Sequence, residues 1–359
     1  MDTQLRRAIL AGVIAAVVLV VAGVTLFVLL GRPTPTMELS PRRASEAAAV
    51  DLSAFSRDPE PLPLIYPLTG LPAADEATVQ QRILSVKIEN TPDARPQMGL
   101  TSADVVYETV TEGGITRFNC LFQSVVPSDV GPVRSGRNSD VTIVPQYDAL
   151  FFMSGANSLV NSELAAAKIA NLGAPKAGDL YYRVNYREAP HNMYLRLDQA
   201  FSRAESKIMA TVTEVPRALA FSSANERADL TDASGATHIT VPFSYSYVAE
   251  WDWNEGDGRY YRSMDGPTKD VDGRQVSATN VVVLWAKYVP LEFKSTLGLD
   301  MNAGGKASVF TDGKRVDGTW ASDGKSPPRF TDTQGKTILL TPGQTWFQVI
   351  DLEDKITTS

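Results

Sequence analysis

The period of hydrophobic positions changes along this chain, and each change marks a different kind of element. From Ala8 to Leu30 no charge interrupts the apolar run, which is 23 residues rich in Val, Leu, Ile and Ala. As a helix at about 1.5 Å per residue it would reach about 35 Å, enough to cross the hydrocarbon core of a bilayer. The run is too long for the apolar core of a cleaved leader. Phe27 to Leu30 also passes straight into Gly31, Arg32 and Pro33 with no small-x-small cleavage pattern. The expectation is an uncleaved single-pass signal anchor in a cytoplasmic membrane. Arg6 and Arg7 would be retained inside and the large remainder translocated.

Over residues 31–63 the apolar periodicity disappears, and Pro33, Pro35, Pro41, Pro59, Pro61 and Pro63 take its place. Such a stretch buries too little apolar surface to order itself and reads as a flexible tether.

Beyond residue 64 two patterns alternate, which predicts an α+β fold. The first block, 64–215, is mixed. Val105 to Glu112 and Ile115 to Val125 are β-rich runs around Gly113-Gly114, read as a two-residue hairpin turn. That turn would pair Glu112 with Ile115, Val110 with Arg117 and Glu108 with Asn119. Glu108, Glu112, Arg117 and Asn119 would then share one polar face, with Tyr107, Phe118, Cys120 and Phe122 on the other. Helical spacing predicts Ser162 to Leu172, capped by Ser162 and stopped by Gly173 and Pro175, and a second helix over Asp198 to Met209.

After a loop-like linker at 216–237, the block 238–353 is almost purely β, as a small sandwich or partly open barrel. Asp312-Gly313 and Gln334-Gly335 are read as hairpin turns, and Pro342-Gly343 introduces a strand at Thr345–Ile350.

Composition narrows the function. A net charge of −7 and a pI near 5.1 disfavour a nucleic-acid partner. The one cysteine, Cys120, lies in a predicted strand and is read as a buried free thiol. Only His191 and His238 are present, so no multi-histidine metal site can be assembled. Asp252 to Gly258 lacks the glycine and the twelfth-position glutamate of a calcium loop. No cofactor is expected.

Candidate chemistry gathers in polar loops. In Gly131-Pro-Val-Arg-Ser-Gly-Arg137 the guanidiniums of Arg134 and Arg137, with Ser135, form an anion cradle; alternatively they pair with Glu108, Glu112 or Asp140 to lock the loop. Glu108 and Glu112 lie about 13 Å apart along a strand, too far for a catalytic carboxylate pair and better suited to ion pairing with Arg117. His191 and Asn192 follow Pro190 and offer hydrogen bonds to a ligand.

Five ordered segments carry a family resemblance. They are Arg95 to Glu108, Glu112 to Phe118, Gly131 to Arg137, Pro190 to Tyr194 and Gly318 to Trp320. With them the chain resembles, over about residues 64–350, the bacterial YerB-like family of envelope lipoproteins, domain of unknown function family 3048, with its N- and C-terminal modules. The resemblance implies architecture and an envelope location; no activity comes with it. Unlike the lipoprotein members, this chain has no cysteine after its apolar segment, which favours the helix itself as anchor.

Two functions follow as expectations. The first is a binding module whose cleft of Arg117, Arg134, Arg137, Glu108, Glu112, His191 and Asn192 grips a cell-wall component or envelope protein. The second, less favoured because no aspartate cluster for Mg²⁺ stands beside the arginines, is a phosphotransferase or hydrolase acting on a lipid-linked or glycan substrate.

Overall fold

A computed structural model describes residues 64–207, 218–223, 230, 233–291 and 296–359. The predicted anchor, Ala8 to Leu30, and the tether at 31–63 lie outside these residues. Among the described residues no helix is long and apolar enough to cross a membrane.

A ten-stranded sheet organises the rest. Its order runs Arg329–Asp332, Lys314–Ala321, Gly304–Thr311, Asn280–Trp285, Thr345–Ile350, Val105–Val110, Thr116–Phe122, Leu84–Glu89, Leu150–Phe152, with Ser234–Gly235 added beside Lys314–Ala321. Most neighbours are antiparallel, but Thr345–Ile350 runs parallel to both Asn280–Trp285 and Val105–Val110, and Leu150–Phe152 runs parallel to Leu84–Glu89. Strands from both sequence blocks therefore meet inside one sheet, and Leu62–Ser359 forms one unit.

Each face of this sheet carries its own core. On one side Val86, Val106, Phe118, Cys120, Val283 and Trp346 pack against a second, antiparallel sheet of five strands: Ser277–Ala278, Arg259–Ser263, Tyr247–Asn254, His238–Ser244 and Thr357–Thr358. Trp251 of that second sheet meets Trp346 edge-on, with centroids 5.2 Å apart. On the other side Val105, Tyr107, Leu121, Phe347 and Val349 pack with Ile143, Tyr147, Val160 and Leu164, carried by the short helix Asn138–Ile143, the turn after it and the helix Ser158–Ala166. The molecule is thus mostly β with a few helices, and sandwich-like where its second half stacks two sheets.

Burial on both faces explains why strict alternation is weak in the central strands. Every residue of Leu84–Glu89 and Thr116–Phe122 is buried, including Lys87, Glu89, Arg117 and Asn119.

Two local expectations are corrected. The hairpin at Gly113-Gly114 closes over Glu112–Gly114, with the Thr111 N–H donating to Ile115 O at 2.7 Å and both glycines at positive φ (81° and 71°). Val110 therefore pairs with Thr116, Glu108 with Phe118 and Tyr107 with Asn119. A one-residue change of register moves a strand's side chains to the opposite face. Glu108 consequently sits with Phe118 and Cys120, while Tyr107 shares a face with Arg117 and Asn119.

The helix expected over Ser162 to Leu172 is instead Ser158–Ala166, capped by Asn157, whose side chain accepts the Val160 N–H at 2.9 Å. It ends early because Lys168 adopts a left-handed φ of 54°. The chain then runs along the Leu150–Phe152 strand, where the Phe151 N–H donates to Ala170 O at 2.9 Å. The later helix is Leu197–Lys207, and the expected continuation to Met209 lies outside the described residues. The Asp312-Gly313 turn is as expected, with φ of 50° and 69° and strands Gly304–Thr311 and Lys314–Ala321 on either side. At Gln334-Gly335 the chain turns back, with the Ile338 N–H donating to Phe330 O at 2.9 Å, but the returning segment 336–341 makes only isolated bridges, at Thr337 and Leu340.

Candidate functional site

At one end of the helix-covered face, neighbouring strands deliver Glu89 and Arg117 as a register pair. The loop Gly131 to Arg137 crosses above them. It is pinned by backbone bonds from Arg134 N–H to Lys87 O (2.9 Å) and from Val133 N–H to Met193 O (2.6 Å). A Cβ at Gly136 would lie 2.7 Å from Met153 Sδ, so a larger residue there would displace that flexible side chain. This crossing brings Arg134 and Arg137 to Arg117.

The three guanidiniums are held unequally. Arg137 Nε donates to Glu112 Oε2 at 2.7 Å, and its Nη1 donates to Gly136 O at 3.0 Å. Arg117, only 4% exposed, donates from Nη1 to Ser135 O at 2.9 Å, while its buried Nε has no hydrogen-bond partner among the described residues. Among the described residues no carboxylate bonds it directly. Burial first, then the charges of Arg137 and Arg134, push the Arg117 guanidinium down to about 9 against the pull of Glu112 and Glu89. Arg134 Nε stands 3.1 Å from Glu89 Oε1, an ion-pair distance without hydrogen-bond geometry.

His191 joins the same carboxylate, with Nδ1 3.0 Å from Glu89 Oε1. Thr91 Oγ1 also donates to that oxygen, at 3.0 Å. Beneath the cluster Lys87 Nζ donates to Asp140 Oδ1 at 2.8 Å, Asn119 Nδ2 donates to the same oxygen at 2.9 Å, and the Arg137 N–H takes Asp140 Oδ2 at 2.7 Å. Neither Lys87 nor Asp140 has solvent exposure; burial lowers the Lys87 ammonium, with Asp140 opposing. This floor fixes the loop rather than meeting a ligand.

Of the residues singled out in the sequence, Arg117, Arg134, Arg137, Glu112 and His191 come together, joined by Ser135 through its carbonyl. Ser135 Oγ lies 3.5 Å from Ser154 Oγ. Glu108 does not join them. It lies on the far face, where Arg262 Nη2 donates to both of its oxygens. Asn192 is turned inward: it accepts from Arg183 Nη1 at 2.5 Å and donates to Val184 O and Arg187 O, tying its own loop. Glu89 was missed. Its signal was a charged residue ending a Leu84–Glu89 run whose other charge, Lys87, falls on the same strand face.

The arrangement offers an edge of arginine side chains, each about one-fifth exposed at Arg134 and Arg137, above a buried cation short of counter-charge. Positioned guanidiniums of this kind bind carboxylate or phosphate oxygens. Among the described residues no group of three or more His, Cys, Asp or Glu could hold a metal ion.

Comparison with known proteins gives matches along most of the chain. Residues 68–210 match the N-terminal domain of the protein of unknown function DUF3048, and residues 239–347 match the DUF3048 C-terminal domain. "Putative lipoprotein YerB" of Bacillus subtilis (strain 168) is 32% identical over 295 residues, spanning 79% of this chain and 85% of that protein. The crystal structure of the YerB protein from Bacillus subtilis superposes with a TM-score of 0.74 at 27% identity, covering 82% of this chain and 99% of that one.

Proposed function

Because the chain belongs to the DUF3048 family and carries both of its domains in order, we propose that it is a membrane-tethered envelope protein that binds an anionic group of an envelope component. The anion, a phosphate or carboxylate on a wall polymer or glycan, is held by Arg117, Arg134 and Arg137. The observation that carries this reading is Arg117: a guanidinium almost wholly buried, crowded by two more and bonded to no carboxylate among the described residues. Burying such a charge is costly unless something negative completes it.

The envelope location draws on two supports, the uncharged Ala8 to Leu30 run and the lipoprotein name of the Bacillus relative. The apolar segment is the anchor in this reading. Binding is preferred over catalysis because Glu112 and His191, the candidates for acid–base work, are engaged with Arg137 and Glu89.

The test is calorimetric titration of the full-length protein with phosphate, sulfate and anionic wall fragments. Binding weakened at least about tenfold by Arg117→Gln or Arg137→Gln supports the reading, since a charge-assisted bond contributes about 1.5–3 kcal/mol. Absence of binding for all three probes defeats it.

A further inference from the structure

We infer that Glu89 is a built-in competitor for the anion at the Arg117–Arg134–Arg137 cluster, and that a proton on His191 draws it away from Arg134. The inference rests on the anion-binding reading above and adds what regulates that site.

The geometry around Glu89 is lopsided. Its carboxylate is 1% exposed, and Oε1 alone serves Arg134 Nε at 3.1 Å, His191 Nδ1 at 3.0 Å and Thr91 Oγ1 at 3.0 Å. Oε2, equally enclosed, has no hydrogen-bond partner among the described residues. Arg134 thus stands at ion-pair distance from a carboxylate without a proper hydrogen bond to it, the weaker of the contacts that a guanidinium can make. An incoming oxyanion offers Arg134 better bonds, and Glu89 opposes it as a like charge.

His191 decides how tightly Glu89 is held elsewhere. Its ring approaches the same oxygen as Arg134, so a protonated ring and the guanidinium would compete for one acceptor. Lowering the pH favours the protonated, positively charged imidazole. Once protonated it takes over Glu89 and leaves Arg134 free for the ligand. It also adds a positive charge beside the cluster, and the two effects share a sign.

The other charged groups around His191 are accounted for. Asp93 Oδ2 lies 3.9 Å from Nε2. On its own loop Arg187 donates to Asp93 O and Pro96 O, and the Glu188 carbonyl accepts the His191 N–H. Arg95, Asp265, Glu89 and Asp93 all act electrostatically on the neighbouring Tyr247. Glu89 in turn acts on Arg117 together with Arg137, Arg134 and Glu112.

Sulfate, whose charge does not change over the pH range tested, is the probe. The full-length protein and its Glu89→Gln, His191→Gln and Arg117→Gln variants are titrated calorimetrically at about pH 5.5 and about pH 8. The wild type should bind sulfate at least about fivefold tighter at the lower pH, within the usual range of coupling between sites. His191→Gln should bind with nearly the same affinity at both. Glu89→Gln should bind at least about fivefold tighter than wild type at the higher pH.

An equal pH slope in wild type and His191→Gln overturns the inference, as does Glu89→Gln binding no tighter than wild type. Should Glu89→Gln fail to fold, the His191→Gln comparison decides alone. Sulfate binding that Arg117→Gln abolishes but pH does not modulate sinks this inference and leaves the anion site standing. No sulfate binding by any variant at either pH sinks this inference, and failure of phosphate and wall fragments as well sinks the anion site with it.

Discussion

Glu108 and Arg262, both without solvent exposure, form a buried ion pair in which Arg262 Nη2 donates to Oε1 at 2.9 Å and to Oε2 at 3.0 Å. The pair joins the central sheet to the five-stranded sheet stacked on it. Thr116 Oγ1 donates to Glu108 at 2.8 Å, Asn90 and Gln348 donate at 3.2 Å, and Arg262 Nη1 donates to Thr268 Oγ1 at 2.7 Å. The guanidinium also lies 5.4 Å from the Phe118 ring centroid and 5.5 Å from that of Trp346.

Removing one partner strands the other. Arg262→Met should therefore lower stability by about 3–5 kcal/mol, while Arg262→Met combined with Glu108→Gln should cost clearly less. Urea denaturation of the wild type, the two single variants and the double variant checks this. A double variant as damaged as the sum of its single changes would show that the two residues do not act as a pair.

Asp104 carries a pH signature. Burial pushes its carboxyl up to about 6, although the backbone and hydroxyl of Ser124 and the Gln123 N–H donate to it and pull the other way. Its folded value therefore exceeds the unfolded one. The contribution is favourable below the ordinary carboxyl range near 4 and is lost as pH rises towards about 6. The loss is of order 3 kcal/mol. Unfolding free energies measured from about pH 4 to pH 7 should show it, and Asp104→Asn should flatten that part of the curve.

Arg117→Met should separate stability from binding. The substitution forfeits one hydrogen bond to Ser135 O but also relieves a desolvated charge facing Arg134 and Arg137. Stability without ligand should stay within about 1 kcal/mol of wild type. The rise in melting temperature produced by phosphate should vanish. A large loss of stability with phosphate protection retained would make Arg117 a structural residue.

The Cys120 thiol should be inert in the native protein. It is buried among Val86, Val106 and Phe118, and that burial pushes its ionisation far up, leaving almost no thiolate. Alkylation followed by mass spectrometry should give labelling only in denaturant, at a rate tracking global unfolding. Fast labelling of folded protein would contradict this burial.

Gly318 should resist replacement. It lies in Lys314–Ala321 between two neighbouring strands, and a Cβ would come 2.1 Å from Thr331 O. Backbone cannot yield as a side chain does, so Gly318→Ala should cost about 1–3 kcal/mol or more in denaturant titration. Wild-type stability would refute the close approach.

Several elements were legible one residue at a time. Asp312-Gly313 announced its hairpin because two consecutive positive φ values need such residues. Pro342-Gly343 announced the strand Thr345–Ile350. Asn138–Ile143 gave little sign, being short and half polar, and the Ser158–Ala166 helix was displaced because Asn157 caps it before Ser162 can. The hairpin at Gly113-Gly114 was placed correctly but one residue out of register, since a two-residue and a three-residue turn both suit paired glycines. That single residue sent Glu108 to the wrong face.

By itself the sequence determined what local chemistry controls: the uncharged N-terminal run, the proline-rich stretch, most strands, and the loop that carries Arg134 and Arg137. Tertiary structure alone decided which charges meet. Glu89 reaches His191 across 102 positions and Glu108 reaches Arg262 across 154, and no periodicity spans such intervals. Electrostatic partnership depends on distance in space and on the water left between the charges, and both are set only when the sheets and loops pack.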